Sequence, residues 1–245
     1  MKPIVPNRRN EQWALLLGVT LGTLGSLALR RRPAVPGRAH RLDLWQRLLA
    51  KRLGEVDAAL LAARVQARYE ELYAHRPRFT HRALRMHLER YILPALALYQ
   101  ILCETHGDLQ AALAEWDDLL GAPEGSEMRK ALALLGHLPW KFAIFRAAVR
   151  QRMKRDFPPE GWAYEWVEDS DRRVAFNIRS CLYLKVLTAY GVPELTEHFC
   201  RLDDLAAEAL PLSIAWARTT TLGRGGPVCD FCWTHTAPNR TGPSA

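Results

Sequence analysis

At Pro158-Pro159 the hydrophobic period of the chain changes, and with it the kind of layer the residues can build. Upstream, apolar residues recur every three or four positions, as an amphipathic helix requires. Leu42, Trp45, Leu49, Leu53, Val56 and Leu60 predict one helix from Arg41 to about His75. A second is expected after Pro77, capped by Thr80 and running to about Thr105. Pro94 falls inside it and should kink it, because proline lacks the amide its turn needs. Asp108 opens a shorter helix ending at Leu120-Gly121, and another spans about Ser126 to Asp156 with a break near Pro139. Downstream the period falls to two. Trp162 to Val167 and Arg172 to Arg179 read as strands around the turn Glu168-Asp169-Ser170-Asp171, with Val174, Phe176 and Ile178 on one face. Ser180 offers a cap for a helix from Leu182 to Tyr190, which Gly191 ends. Pro193-Glu194 starts the next, running to about Leu210. Ser213 to Leu222 and Val228 to His235 read as an antiparallel pair joined across Gly223 to Pro227. The expected fold class is α+β, with a single N-terminal membrane helix, a helical middle and a small C-terminal antiparallel sheet packed with helices.

The membrane helix is read from Trp13 to Leu29, seventeen residues without a charge. At ~1.5 Å per residue it spans about 25 Å, slightly short of a ~30 Å hydrocarbon core. Trp13 and Arg30-Arg31-Arg32 suit the two interfaces. A core helix would show a polar stripe, and a cleavable signal would end in small residues; this stretch has neither. More bases follow the span than precede it, so the expectation is a single-pass membrane protein with its C-terminal domain in the cytoplasm. Gly18, Gly22 and Ser26, four apart, would give a smooth face for a homodimer, although such residues are common in single spans. The layout expected is therefore a basic tail (1–12), transmembrane helix (13–29), basic linker (30–40), helical region (41–157), α+β region carrying the site (158–235) and disordered tail (236–245). Asn239-Arg240-Thr241 fits a glycosylation sequon, which carries no meaning on a cytosolic domain.

The net charge of +8 belongs to one end of the chain. Residues 1–41 hold eight of the bases and one acid, leaving the other 204 residues at a net of +1. A basic groove for nucleic acid is therefore not expected. Five cysteines (103, 181, 200, 229 and 232) are too scattered for a disulfide framework and read as reduced thiols. His81 and His87, six apart, cannot share a helix face, so the helical histidines read as solvated or structural rather than as ligands. Cys229 and Cys232 form a C-x-x-C, but a strand sends residues three apart to opposite faces, so no metal and no cofactor is expected there.

Chemistry concentrates in the last third. Cys181 in the first turn of a helix would have its thiolate stabilised by terminal amides, making it the first choice for a reactive thiol. Cys200 and Asp203 are three apart and share a helix face. Period two groups Arg218 with Ile214 and Trp216, and Cys229 with Phe231 and Trp233, on apolar and therefore covered faces. A covered arginine asks for an anion, either a protein carboxylate or a ligand carboxylate or phosphate. The alternative reading of the same residues, packed core thiols with a structural Asp–Arg pair, stays open.

In order, Phe176-x-Ile178-x-x-Cys181, Gly191-x-Pro193-Glu194-Leu195, Phe199-Cys200-x-x-Asp203, Arg218-x-x-Thr221-Leu222 with a glycine pair, and Cys229-Asp230-Phe231 resemble the signature of the L-2-amino-thiazoline-4-carboxylic acid hydrolase family. Cys232 departs from that pattern, and a membrane helix is not associated with the founding activity. The resemblance implies opening of a cyclic C–N/C–S ring. Water adds to the amidine-like carbon of a thiazoline carboxylate, and loss of the ring sulfur leaves an N-carbamoyl cysteine. It implies a small-molecule carboxylate as substrate, with Cys181, then Cys229, as nucleophile and Asp203 moving protons. Arg218, Cys200, Thr221 and Asp230 would bind the substrate. A non-catalytic ligand-binding or thiol-sensing module using the same pocket is the alternative, and a metal-binding accessory protein or membrane scaffold comes after it.

Overall fold

The computed structural model describes residues 37–122 and 127–236. The anchor at 13–29, its dimer face and the sequon therefore lie outside the described residues, as does nearly all of the expected tail. Among the described residues no helix is long and apolar enough to cross a membrane.

The α+β expectation holds. Helix α1 (Leu42–Leu53) and helix α2 (Glu55–Ala74) form a hairpin rather than the single expected helix. Gly54 between them adopts φ 85°, a left-handed value that breaks the helical run. The break rotates the apolar stripe. Leu42, Trp45 and Leu49 are buried, but Leu53, Val56 and Leu60 face solvent, and α2 buries Ala58, Leu61, Ala62, Val65 and Tyr69 instead.

The next helical run begins with α3 (Arg82–His87), capped by His81 and not by Thr80; the His81 ring nitrogen accepts from the Ala83 amide at 3.1 Å. A π-helical turn (Leu88–Ile92) leads into α4 (Leu93–His106), where Pro94 occupies the first turn. Proline lacks the amide for its turn, and the π-helical turn stands directly before it, so the run departs from regular α-helix where the sequence reading expects a kink. Every residue from Leu93 to Tyr99 is buried, which makes α4 the axis of the molecule. Asp108 caps α5 (Leu109–Gly121) through the Ala111 amide at 2.7 Å, as its position predicts. Helix α6 (Glu127–Leu135) and helix α7 (Lys141–Asp156) are separated at the expected break around Pro139.

Four antiparallel strands follow: β1 (Ala163–Asp169), β2 (Arg173–Ser180), β3 (Ile214–Ala217) and β4 (Cys229–His235), in the spatial order β1-β2-β4-β3. Between β2 and β3 the chain forms α8 (Leu182–Ala189) and α9 (Leu195–Ala207). Strand β3 stops at Ala217, earlier than expected, and a 3₁₀ turn (Leu222–Arg224) takes its place. Register pairs Ile178 with Cys229, Phe176 with Phe231, Val174 with Trp233, and Trp216 with Trp233. One face thus carries Val174, Phe176, Ile178, Cys229, Phe231 and Trp233 against the helices. The other carries Arg173, Asn177, Asp230 and Cys232, with Ala175 buried among them.

Candidate functional site

Three thiols come together where β2, α9 and β4 meet. Cys181 follows the last residue of β2 and is itself the cap residue of α8; Ser180 belongs to the strand and does not cap. The Tyr183 and Leu184 amides and the Trp162 side chain lie near the Cys181 thiol, although its sulfur makes no cap hydrogen bond. These donors favour a thiolate, but burial outweighs them and pushes the Cys181 thiol up. The expectation of a lowered thiol at this helix start is corrected: the amides are present, and the surrounding apolar mass desolvates the charge more than they stabilise it.

Cys229 is the acidic thiol. It opens β4, is 5% exposed, and accepts from the Leu222 amide at 3.2 Å. The neighbouring Cys200 is the main cause that holds its pKa below the usual thiol value, helped by the amide and by the charge of Arg218, against burial. Cys200 is pushed well up in return, first by the neighbouring Cys229 and then by desolvation, although it is only partly buried. Of the two thiols, Cys229 is the more acidic. A 3₁₀ turn makes this possible. Thr221, 1% exposed, caps it through its hydroxyl, and its carbonyl accepts from the Gly226 amide at 2.9 Å. A Cβ on Gly223 would stand 2.9 Å from the Glu197 nitrogen, so only glycine lets the turn press against the start of α9. Thr221 builds this turn, and every hydrogen bond found for it goes to backbone.

Arg218 lies just past β3, and its side chain is 2% exposed. Its guanidinium reaches Asp203 at 3.2 Å, Asp204 at 2.7 Å and the Cys200 carbonyl at 2.8 Å, between the rings of Trp216 and Phe231. The anion that the sequence demands is therefore supplied by protein carboxylates. Asp203 has its pKa raised by surrounding protein, against the charges of Arg218 and Arg152. Its side chain is 53% exposed, so water opposes that rise as well, and the upward shift is the modest kind. Asp230 is not brought to the thiols. It points to the open face of the sheet and is filled by the Thr219 and Thr220 amides and the Thr219 hydroxyl. Cys232 shares that open face, in contact with Arg173 at 3.2 Å, so the C-x-x-C divides across the sheet as expected. Among the described residues no group of His, Cys, Asp or Glu is arranged to hold a metal ion.

Behind Cys181 stands an aromatic wall that sequence reasoning missed. His87 is 5% exposed; its Nδ1 lies 2.9 Å from the Tyr183 hydroxyl and its Nε2 3.1 Å from the Asp156 carbonyl. A carbonyl only accepts, which assigns the hydrogen to Nε2 and makes Nδ1 the acceptor from Tyr183. Burial, then the charge of Arg152, lowers the His87 pKa to about 4, so it is neutral. Trp162 packs on His87 with ring centres 4.8 Å apart. His87 and Tyr183 are 96 residues apart in sequence, and no local pattern links them. Asp204 was missed too, although its place beside Asp203 and four after Cys200 is legible. Two hollows lie elsewhere. One of about 230 Å³ on the open sheet face is lined by Val167, Arg173, Asn177, Thr219, Asp230 and Cys232. One of about 470 Å³ between α1 and α2 is lined by Leu42, Ala59 and Ala62 with Arg38, Gln46 and Gln66. Neither is lined by Cys181, Cys200 or Cys229.

No curated protein and no solved structure matches the chain. The family description L-2-amino-thiazoline-4-carboxylic acid hydrolase does match, over residues 85–233, which is more than half of the chain. The matched segment runs from α3 through β4 and holds all three clustered thiols, Asp203 and Arg218: the chain belongs to the L-2-amino-thiazoline-4-carboxylic acid hydrolase family.

Proposed function

We propose that the chain hydrolyses a small cyclic carboxylate at its C–N/C–S centre, with Cys229 as the nucleophile. The observation that carries this reading is Cys229, which lies in the family-matched segment, accepts from the Leu222 amide at 3.2 Å, and has its thiol pKa held below the usual value, chiefly by the neighbouring Cys200. A thiolate at neutral pH is the form that attacks carbon. The Cys229 sulfur adds to the amidine-like carbon, and the ring C–S bond breaks. The departing sulfur takes a proton from Asp203. Water then adds to the same carbon and expels Cys229 as thiolate, leaving the carbamoyl product. The net change is addition of one water. Arg218 holds Asp203 and Asp204. A substrate carboxylate would therefore displace Asp203 from it or meet Arg152, whose charge is felt at Asp203, Tyr183 and His87. Residues 13–29 would hold this site at the cytoplasmic face of a membrane.

The burial of Cys229 and the engagement of Arg218 favour a second reading, a thiol-bearing module that binds or senses without turnover. The full-length protein incubated with L-2-amino-thiazoline-4-carboxylate, with product followed by mass spectrometry, separates the two. Turnover abolished in Cys229→Ser supports the proposal; full turnover in Cys181→Ser, Cys200→Ser and Cys229→Ser alike would end the covalent version.

A further inference from the structure

Helix α2 carries two apolar stripes. One, through Ala58, Leu61, Val65 and Tyr69, is buried against the rest of the fold. The other faces outward: Val56 is 73% exposed and Leu60 62%, with Ala59, Ala63 and Ala67 exposed beside them. Covering such a stripe is favourable, and among the described residues none covers it. Alanines at four-residue intervals allow a second helix to approach to about 8 Å between axes.

The polar residues beside the stripe are arranged about its centre. At ~100° per residue, Asp57 and Arg64 fall on one flank, and Glu55 and Gln66 on the other. Each of these two pairs is equidistant from the midpoint between Leu60 and Leu61. A two-fold axis at that point brings in a second α2 running antiparallel. It sets each Asp57 opposite the partner's Arg64, and each Glu55 opposite the partner's Gln66. Arg38, which lines the α1–α2 hollow together with Gln66, meets the same Glu55. Leu60 faces its own copy on the axis, and Val56 is carried over the partner's Ala63 and Ala67, a larger side chain on smaller ones. Arg64 bonds Glu104 at 3.0 Å and Thr105 at 3.1 Å within its own chain. Arg68 also holds Glu104, at 2.9 Å, so Arg64 can turn to the partner without stranding that carboxylate.

We propose that the outer face of α2 is a homodimer interface, an isologous antiparallel helix pair centred on Leu60. Acid and base at equal distances from the centre are what a second copy of the same helix requires; an anionic lipid surface would instead be repelled by Glu55 and Asp57 at the edges. One helix pair buries less than the ~1,600 Å² of a standard interface, so the expected dissociation constant is micromolar. The interface lies outside the family-matched residues 85–233 and stands whether or not the site turns over a substrate.

The test is analytical ultracentrifugation of the full-length protein in detergent, from submicromolar to about 100 μM. A monomer–dimer equilibrium is expected. Leu60→Arg sets two like charges against each other on the axis and should raise Kd at least about tenfold. Asp57→Arg and Arg64→Asp should each raise it about tenfold, because the two-fold repeats every repulsion. Their combination exchanges the charges and should return Kd to within about threefold of the unsubstituted protein. Circular dichroism should be unchanged in all four, since the substituted side chains face outward. A protein that stays monomeric over the whole range would overturn the proposal. So would a dimer indifferent to these substitutions, which would put self-association elsewhere in the chain, or a charge exchange that restores nothing.

Discussion

Replacing Arg218 by methionine distinguishes a structural arginine from a substrate anchor. Methionine keeps most of the volume, so the loss is one of hydrogen bonds and charge rather than of packing. The contact to the 53%-exposed Asp203 at 3.2 Å is worth about 0.5 kcal/mol. The 2.7 Å contact to the 39%-exposed Asp204 adds about 1 kcal/mol, and the 2.8 Å bond to the Cys200 carbonyl about 1.5 kcal/mol. The total is about 3 kcal/mol, which lowers the melting temperature by roughly 6–12 °C for a domain of this size. Thermal unfolding of the full-length variant in detergent measures it, and Arg218→Lys should recover only part, because one ammonium cannot span both aspartates and the carbonyl. Cys229 should also label more slowly in the methionine variant, since the guanidinium favours its thiolate. An Arg218→Met protein with unchanged melting temperature and a tenfold rise in KM would refute this reasoning and return Arg218 to the role of carboxylate holder.

Three further predictions rest on separate observations. Because His87 has its pKa lowered to about 4 against ~6.5 unfolded, its contribution is complete above pH ~6.5 and declines as pH falls toward 4, by about 3 kcal/mol. Urea unfolding across that range should show a shallower slope in His87→Phe, with His40, also lowered to about 4, accounting for what persists. The iodoacetamide rate at Cys229 should follow a titration centred below that of free cysteine, while Cys181 and Cys200 respond only at more alkaline pH; equal midpoints would contradict Cys229 as the most acidic of the three. Gly223→Ala should cost about 2 kcal/mol by driving a methyl into the Glu197 backbone, and should slow Cys229 labelling by moving the Leu222 amide; a fully stable variant would show that the turn has slack.

Several features were legible because they are set by neighbours in sequence. Period two placed Cys229 and Cys232 on opposite faces, and Asp108 capped its helix as its spacing from Ala111 requires. Arg218 and Cys229 were recognisably on a covered face, and an anionic partner followed from burying a charge. Local pattern failed where a single backbone angle or a distant segment decides. The left-handed turn at Gly54 exposes Leu53, Val56 and Leu60, which continue the apolar stripe of α1 on paper. A helix-start thiol was legible at Cys181; its desolvation comes from mass contributed by other segments and reverses the direction of its pKa. The partner of Cys229 is 29 positions away and that of Tyr183 is 96, separations at which sequence carries no distance. Residue type and spacing thus determined the helices, the sheet faces and the family; packing alone decided which thiol is the more acidic and which carboxylates hold the arginine, because both depend on groups brought together only by the folded chain.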